Sequence, residues 1–259
     1  VDAIVAGLSV NDSIVESASV SVHEPSKNHI SNSDHLTVAV ARDEAFQFYY
    51  QDDLAALAAR GVSLIDVSPI HDDFPDNVDG ILLGGGFPER YAMKLAANEK
   101  FRTGLRRAAS KGLAVRAECA GLMYLCRSLT VDRVDYEMCN VIDATVQIQE
   151  KPVGRGYMHL DWVSTPTSEQ DIDGISRFNA HEFHHSEIHF DRPPRFAFRV
   201  LRGHGTDGVN DGVLIHNVIA SYAHFRHTQN TPWIDWFMAQ LAGNNLPQYG
   251  QIFENIEHV

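Results

Sequence analysis

Residues 114–125 read AVRAECAGLMYL, and the fold turns on how this stretch is read. Leu113 to Ala117 is a short apolar run that predicts a buried strand, and Ala120 to Leu125 favours a helix. Glu118 and Cys119 stand between them. A strand that turns directly into a helix lifts the residue at the turn above the edge of a sheet, the geometry of a nucleophile elbow. Amides opening such a helix carry partial positive charge, which favours a thiolate and can hold an oxyanion. Ala120 and Gly121 are small, so a substrate can approach the backbone. A cysteine can also simply fill space. That is the reading for Cys126, inside the predicted helix, and for Cys139, which has no comparable setting.

The flanking sequence supplies the sheet. LTVAVA (36–41) predicts a buried strand, and VSLIDV (62–67) and DGILL (79–83) predict two more strands. A helix is expected over 42–61, where Phe46, Tyr49, Tyr50, Leu54 and Leu57 recur at helical period and Gly61 ends it. A long helix is expected over 88–110, with Pro88 near its start and Lys111-Gly112 after it. Alternating strands and helices imply βαβ units, hence an α/β fold with a mostly parallel central sheet flanked by helices. In such sheets ligands bind beyond the carboxyl ends of the strands, where both Cys119 and the glycines of GGGFPE (84–89) fall. From about residue 140 the texture changes. ATVQIQ, RGYMHLDWV, SEIHF, FAFRVL and GVLIHNVIASYAHF predict additional strands, and PWIDWFMAQLAG (232–243) a last helix. At the other end, residues 1–12 suit a short amphipathic helix, and 17–35, rich in Ser, His and Asn, reads as a linker.

Composition narrows the function. The 259 residues are 44% hydrophobic and 21% charged, with a formal net charge of −13. Phosphate contacts dominate nucleic-acid affinity, so an acidic chain without a Lys/Arg cluster argues against a nucleic-acid partner. No apolar run approaches the roughly 20 residues of a membrane-spanning helix, and the first residues lack the basic region of a signal peptide, so a cytoplasmic protein with no membrane partner is expected. Three cysteines form no disulfide framework and no CxxC zinc pattern. The chain begins at Val1 rather than Met, as a piece of something longer would.

A thiolate enzyme needs a base that can also protonate a leaving amine, and histidine is the usual one. VIASYAHFRH (218–227) ends an apolar strand at His224, which could face Cys119 from a neighbouring strand. Gly84–Gly86 offer backbone amides for an oxyanion, or are only a loop needing left-handed backbone. GxxxxGK[ST] is absent, so a phosphate-binding loop is disfavoured. HEFHH (181–185) satisfies the HExxH zinc signature, with Glu182 as base. That motif requires a helix, whereas Ser186, Ile188 and Phe190 alternate with polar residues at strand period before DRPP. A zinc hydrolase is therefore a remote alternative, and no metal site is expected.

VAVARDEAFQFYYQDDL, LLGGGFPER, AECAGLMYLC, HEFHHSEI and ASYAHF, in this order across about residues 36–230, resemble the class I glutamine amidotransferase domain of the cobyrinic acid a,c-diamide synthase family. The resemblance implies a flavodoxin-like α/β fold with extra strands in its C-terminal half. It implies that 36–259 form the glutaminase domain and 1–35 the tail of an N-terminal ATPase/amidoligase domain plus linker. Cys119 would attack the glutamine amide, and His224 would activate the thiol. Gly85 and Gly86, with the amide of Ala120, would hold the oxyanion and bind glutamine. Ammonia would pass to a tetrapyrrole carboxylate activated by ATP on that domain or on a separate chain. The acceptor would be cobyrinic acid, or sirohaem or nickel-sirohydrochlorin in close relatives. ATP and Mg²⁺ belong to that partner, no cofactor is expected on this chain, and a homodimer is admitted. Three positions depart from the family pattern. Ala120 replaces a glycine, AHEFHHS (180–186) replaces GHEFHYS, and Arg226 stands where many class I enzymes carry a glutamate two residues after the histidine. A Cys–His dyad with an unidentified orienting group is the expectation. A non-catalytic glutaminase-like scaffold and another α/β thiol hydrolase are the alternatives, and His181–Ser186 has no assigned role.

Overall fold

The computed structural model describes residues 35–163 and 177–243. The helix expected at 1–12 and the linker expected at 17–35, its last residue apart, lie outside them. Strand β1 (Thr37–Ala41) runs through the sheet interior, its last four residues buried. The helix expected over 42–61 forms only in its second half: Phe46–Phe48 is a short strand, β2, and α1 spans Gln51–Ala59. Asp43 explains the difference. Its carboxylate accepts the amides of Ala45 (2.8 Å), Phe46 (3.3 Å) and Ile70 (2.9 Å) and the Ser68 hydroxyl (2.9 Å). A side chain that satisfies nearby amides in a turn competes with helix there.

After α1 come β3 (Ser63–Val67), β4 (Gly80–Leu83) and the two-residue β5 (Gly85–Gly86), which pairs antiparallel with β2. The stretch expected as one helix over 88–110 is divided into a 3₁₀ turn (Pro88–Tyr91), α2 (Ala92–Ala97) and α3 (Glu99–Ser110). Asn98 makes the break: its side chain accepts the Phe101 amide (3.2 Å) and donates to the carbonyls of Pro69 (2.9 Å) and Asp72 (2.8 Å), an N-cap within a periodic run. Next come β6 (Ala114–Glu118), α4 (Ala120–Leu125) and β7 (Cys126–Val131). Cys126 is thus not inside a helix but opens a strand, because the Tyr124 and Leu125 carbonyls take the amides of Cys139 and Val141 (both 2.9 Å) instead of prolonging α4.

The rest of the chain is strand-rich, as its alternation predicts: β8 (Val134–Glu137), β9 (Ile142–Ile148), β10 (Gly154–Trp162), β11 (Phe178–His184), β12 (Ser186–Phe190), β13 (Arg195–Arg202), β14 (Asn210–Ile215) and β15 (Val218–Ser221), then α5 (Trp233–Leu241). Among the described residues a nine-stranded sheet has the order β11-β10-β13-β14-β15-β6-β4-β1-β3. From β3 to β15 its neighbours are parallel, and from β15 to β11 antiparallel. The sheet is therefore mixed, with the parallel half carrying the expected α/β core. A four-stranded sheet, β12-β9-β7-β8, lies beside it in the fold.

Two apolar clusters separate the helices. One gathers Ile81, Val115, Phe101, Leu105 and Tyr124, and the other Leu82, Leu57, Phe225, Trp236 and Phe237. Leu83 pairs with Ala117 and Ser221 with Glu118. The end of β6 is thereby flanked on both sides by strand ends, so the residue after it opens above the sheet edge. Gly121 lets α4 approach β4: a Cβ there would lie 2.2 Å from the Leu83 carbonyl oxygen and 2.7 Å from the Leu83 Cβ. We predict that Gly121→Ala lowers stability by about 1–3 kcal/mol, the usual cost of overpacking. A urea midpoint equal to that of wild type would contradict this close packing.

Candidate active site

Cys119 occupies the left-handed region, with φ 49° and ψ −98°. Such backbone costs of the order of 1–3 kcal/mol for a non-glycine residue and persists only when the surroundings enforce it. Here three backbone bonds enforce it. Cys119 N–H donates to the Ser221 carbonyl (2.7 Å), Met123 N–H to the Cys119 carbonyl (3.1 Å), and Gly121 N–H to the Gly84 carbonyl (3.2 Å). The expected elbow is thus present. The sulfur lies 3.8 Å from the Phe183 carbonyl oxygen and borders a cleft of about 730 Å³ that His224 also lines.

The thiol's electrostatics differ from the sequence expectation. Burial pushes Cys119 up to about 12, and the Ala120 amide opposes this only in part. A six-residue helix does not overcome the loss of water, so the resting sulfur is a thiol. Ionisation then has to come with proton transfer to a base. Burial also lowers His224, to about 4, with His181 and His184 adding to the effect. A neutral imidazole therefore faces the same cleft as the protonated thiol.

His224 is held on three sides. Its backbone exchanges hydrogen bonds with His181 on β11 (2.8 and 3.2 Å), and the two rings stack at 4.8 Å and 17°. Gly85 closes against its edge: a Cβ at Gly85 would lie 2.5 Å from His224 Cε1. The third neighbour is Glu118, with Oε2 3.7 Å from His224 Nδ1. Of the predicted oxyanion residues, Ala120 directs its amide at the sulfur, Gly86 lines the cleft, and Gly85 packs on the imidazole. The amide of Gly84 is already bonded to the Tyr49 hydroxyl (2.9 Å). Arg226 turns outward to an ion pair with Asp52. Cys126 and Cys139 are buried away from the cleft lining.

HEFHH lies on and just after strand β11, not on a helix. At about 3.3 Å per residue, His181 and His185 are roughly 13 Å apart along a strand, too far to share an ion. Among the described residues no group of three or more His, Cys, Asp or Glu gathers to hold a metal. The segment is a brace instead. Glu182 accepts the amides of His204 (2.7 Å) and Gly205 (2.9 Å), His184 stacks on Tyr222 at 3.7 Å, and Ser186 Oγ meets Tyr222 Oη at 2.8 Å. Asp211 accepts the amides of Tyr222 and Ala223 (both 3.0 Å). Together these fix the loop that carries His224. Sequence reasoning did not single out Glu118, although an acid ending an apolar strand beside the proposed nucleophile was the available signal.

Residues 37–232 match the family described as the CobB/CobQ-like glutamine amidotransferase domain. The chain belongs to that family. It is 36% identical over 209 residues to a cobyrinate a,c-diamide synthase of Magnetococcus marinus, a match covering 79% of this chain and 43% of the relative. The chain thus spans less than half the length of that curated relative. Its fold is similar to a chain in the structure of PurLQS from Thermotoga maritima, with TM-score 0.56, 16% identity, and 81% and 99% of the two chains covered. It is also similar to a crystal structure of a glutamine amidotransferase, with TM-score 0.54, 20% identity, and 80% and 98% covered. These likenesses establish the class I glutamine amidotransferase-like α/β fold. No helix among the described residues is long and apolar enough to cross a membrane.

A resting thiol makes a chemical prediction. Alkylation of Cys119 by iodoacetamide should still be accelerating at pH about 9–10, well above the range of activated thiolates. A rate that levels off with a midpoint below about 7 would instead reveal a standing thiolate–imidazolium pair.

Proposed function

We propose that residues 36–259 hydrolyse the side-chain amide of glutamine to supply ammonia for ATP-dependent amidation of tetrapyrrole carboxylates. The observation that carries this reading is a cleft bordered at once by an elbow cysteine and a buried, neutral histidine. Nδ1 of His224 faces Glu118, which leaves Nε2 for the thiol proton. As that proton moves, the sulfur adds to the amide carbon. The Ala120 amide and the backbone of Gly85 and Gly86 in β5 hold the oxyanion, in the manner that lowers barriers in acyl transfer. His224 then returns the proton to the departing nitrogen, so ammonia leaves and a γ-glutamyl thioester remains. Water, deprotonated by His224, adds to the thioester. Glutamate is released and the thiol is restored, for a net reaction of glutamine and water to glutamate and ammonia.

The name of the Magnetococcus relative supports cobyrinate, amidated at its a and c side chains, as the acceptor; sirohaem and nickel-sirohydrochlorin are the alternative acceptors. The activating ATP and Mg²⁺ belong on an ATPase/amidoligase part, fused before residue 36 or separate, and this chain holds no cofactor of its own. Neither nucleic acid nor membrane takes part, and the setting is the cytoplasm.

Diazo-oxo-norleucine, a glutamine-like electrophile, should label Cys119 and spare Cys126 and Cys139. Cys119→Ser should abolish ammonia release, and His224→Ala should lower kcat by a factor of roughly 10²–10⁴ with a smaller effect on KM. Label on another cysteine, or an unchanged kcat in His224→Ala, would refute the assignment. Inactivity of the wild-type chain even with an ATPase partner would favour a scaffold.

A further inference from the structure

We propose that Glu118 is the positioning residue for His224, filling from the nucleophile's own strand the place that Arg226 leaves without an acid. The proposal rests on the glutaminase reading above. Glu118 is the last residue of β6, one position before Cys119. A side chain there can reach the base only if the histidine arrives from the adjacent strand, and β15, which leads to His224, is that neighbour. The carboxylate is largely buried, with 15% of its side chain exposed. Oε1 is held by the Phe225 amide and by Arg116 Nη2, each at 3.4 Å. Arg116 is itself clamped between the rings of Phe225 and Trp233, 4.8 Å from each centroid. One oxygen is thus anchored, and the other, Oε2, faces His224 Nδ1 at 3.7 Å.

The remaining sides of the imidazole are closed by the His181 ring and by Gly85, so Glu118 is the acid placed to set its tautomer. A carboxylate accepting from Nδ1–H leaves Nε2 as the acceptor for the thiol proton, and it stabilises the imidazolium that forms. The present distance is longer than a hydrogen bond. Contacts of this kind commonly tighten only when substrate is bound.

The charged and titratable groups around Glu118 are Arg116 on its own strand, Asp53 on α1, Tyr49 and Tyr50 before α1, Cys119 and His224. Asp53 is already engaged, accepting the His227 amide (2.9 Å) and the Trp233 indole N–H (2.7 Å). Burial outweighs the attraction of Arg116 and raises Glu118 to about 7. The carboxylate charge is therefore present above that pH and lost below it, and turnover should rise with pH through about 7.

The test compares the full chain with Glu118→Gln and Glu118→Ala in glutaminase kinetics across pH. Glu118→Gln keeps the volume and an acceptor for the Phe225 amide but cannot balance an imidazolium. It should lower kcat by at least about tenfold with KM changed less than about twofold, and it should remove the step near pH 7. Glu118→Ala should fall further, and if it does not fold, Glu118→Gln alone decides. Wild-type kcat in Glu118→Gln, or a reduced kcat with the step intact, overturns the assignment while the glutaminase reading stands. A wild-type chain that neither releases ammonia nor takes the diazo-oxo-norleucine label removes both.

Discussion

The backbone of Cys119 is the constraint around which this structure is organised. A non-glycine residue in left-handed conformation has to be held, and the three backbone bonds that hold it come from β15, α4 and the glycine turn after β4. The same three elements bring the histidine, the first helical amide and the glycines to the sulfur. Catalytic geometry and strain relief therefore draw on one set of contacts. This is why the order of β4, β6 and β15 at the centre of the sheet matters more to the site than any other feature of the fold.

Burial sets the chemistry of the cleft. It keeps the sulfur protonated and the imidazole neutral and raises the neighbouring carboxyl to about 7, so neither reacting atom, sulfur or ring nitrogen, carries charge until a proton moves between them. The antiparallel half of the sheet contributes by immobilising the base. Glu182, His184, Ser186, Tyr222 and Asp211 form a polar web behind His224, and nearly all of it comes from β11, β14 and the residues just after β15. A motif that mimics a zinc signature is here a set of buried hydrogen-bonding groups, spaced for a strand.

Much of this was legible in the sequence. The apolar runs at 36–41, 79–83 and 113–117 are strands because short runs of β-branched, apolar and small residues suit a sheet buried on both faces, whereas 62–67 forms the largely exposed edge strand β3. The elbow was legible because strand character stops abruptly at Glu118. What failed failed locally. Helical periodicity over 42–61 and 88–110 was real, but Asp43 and Asn98 each satisfy several neighbouring backbone groups, and such bonds are invisible to a periodicity argument. Cys126 was misplaced because nothing in its own neighbourhood signals that Cys139 and Val141 will claim the carbonyls at the end of α4. The state of the thiol was missed for a related reason. Helix-end polarity can be read from sequence, but the depth at which a sulfur is buried depends on residues far from it in the chain, such as Phe183 and His224.

The neutral sulfur has a consequence for the life of the protein. Peroxide attacks the anion of cysteine far more readily than its conjugate acid. A nucleophile that becomes anionic only while a carbonyl is in place offers oxidants little to react with between turnovers. The apolar wrapping that makes the cysteine sluggish toward casual reagents thereby preserves it for its own substrate.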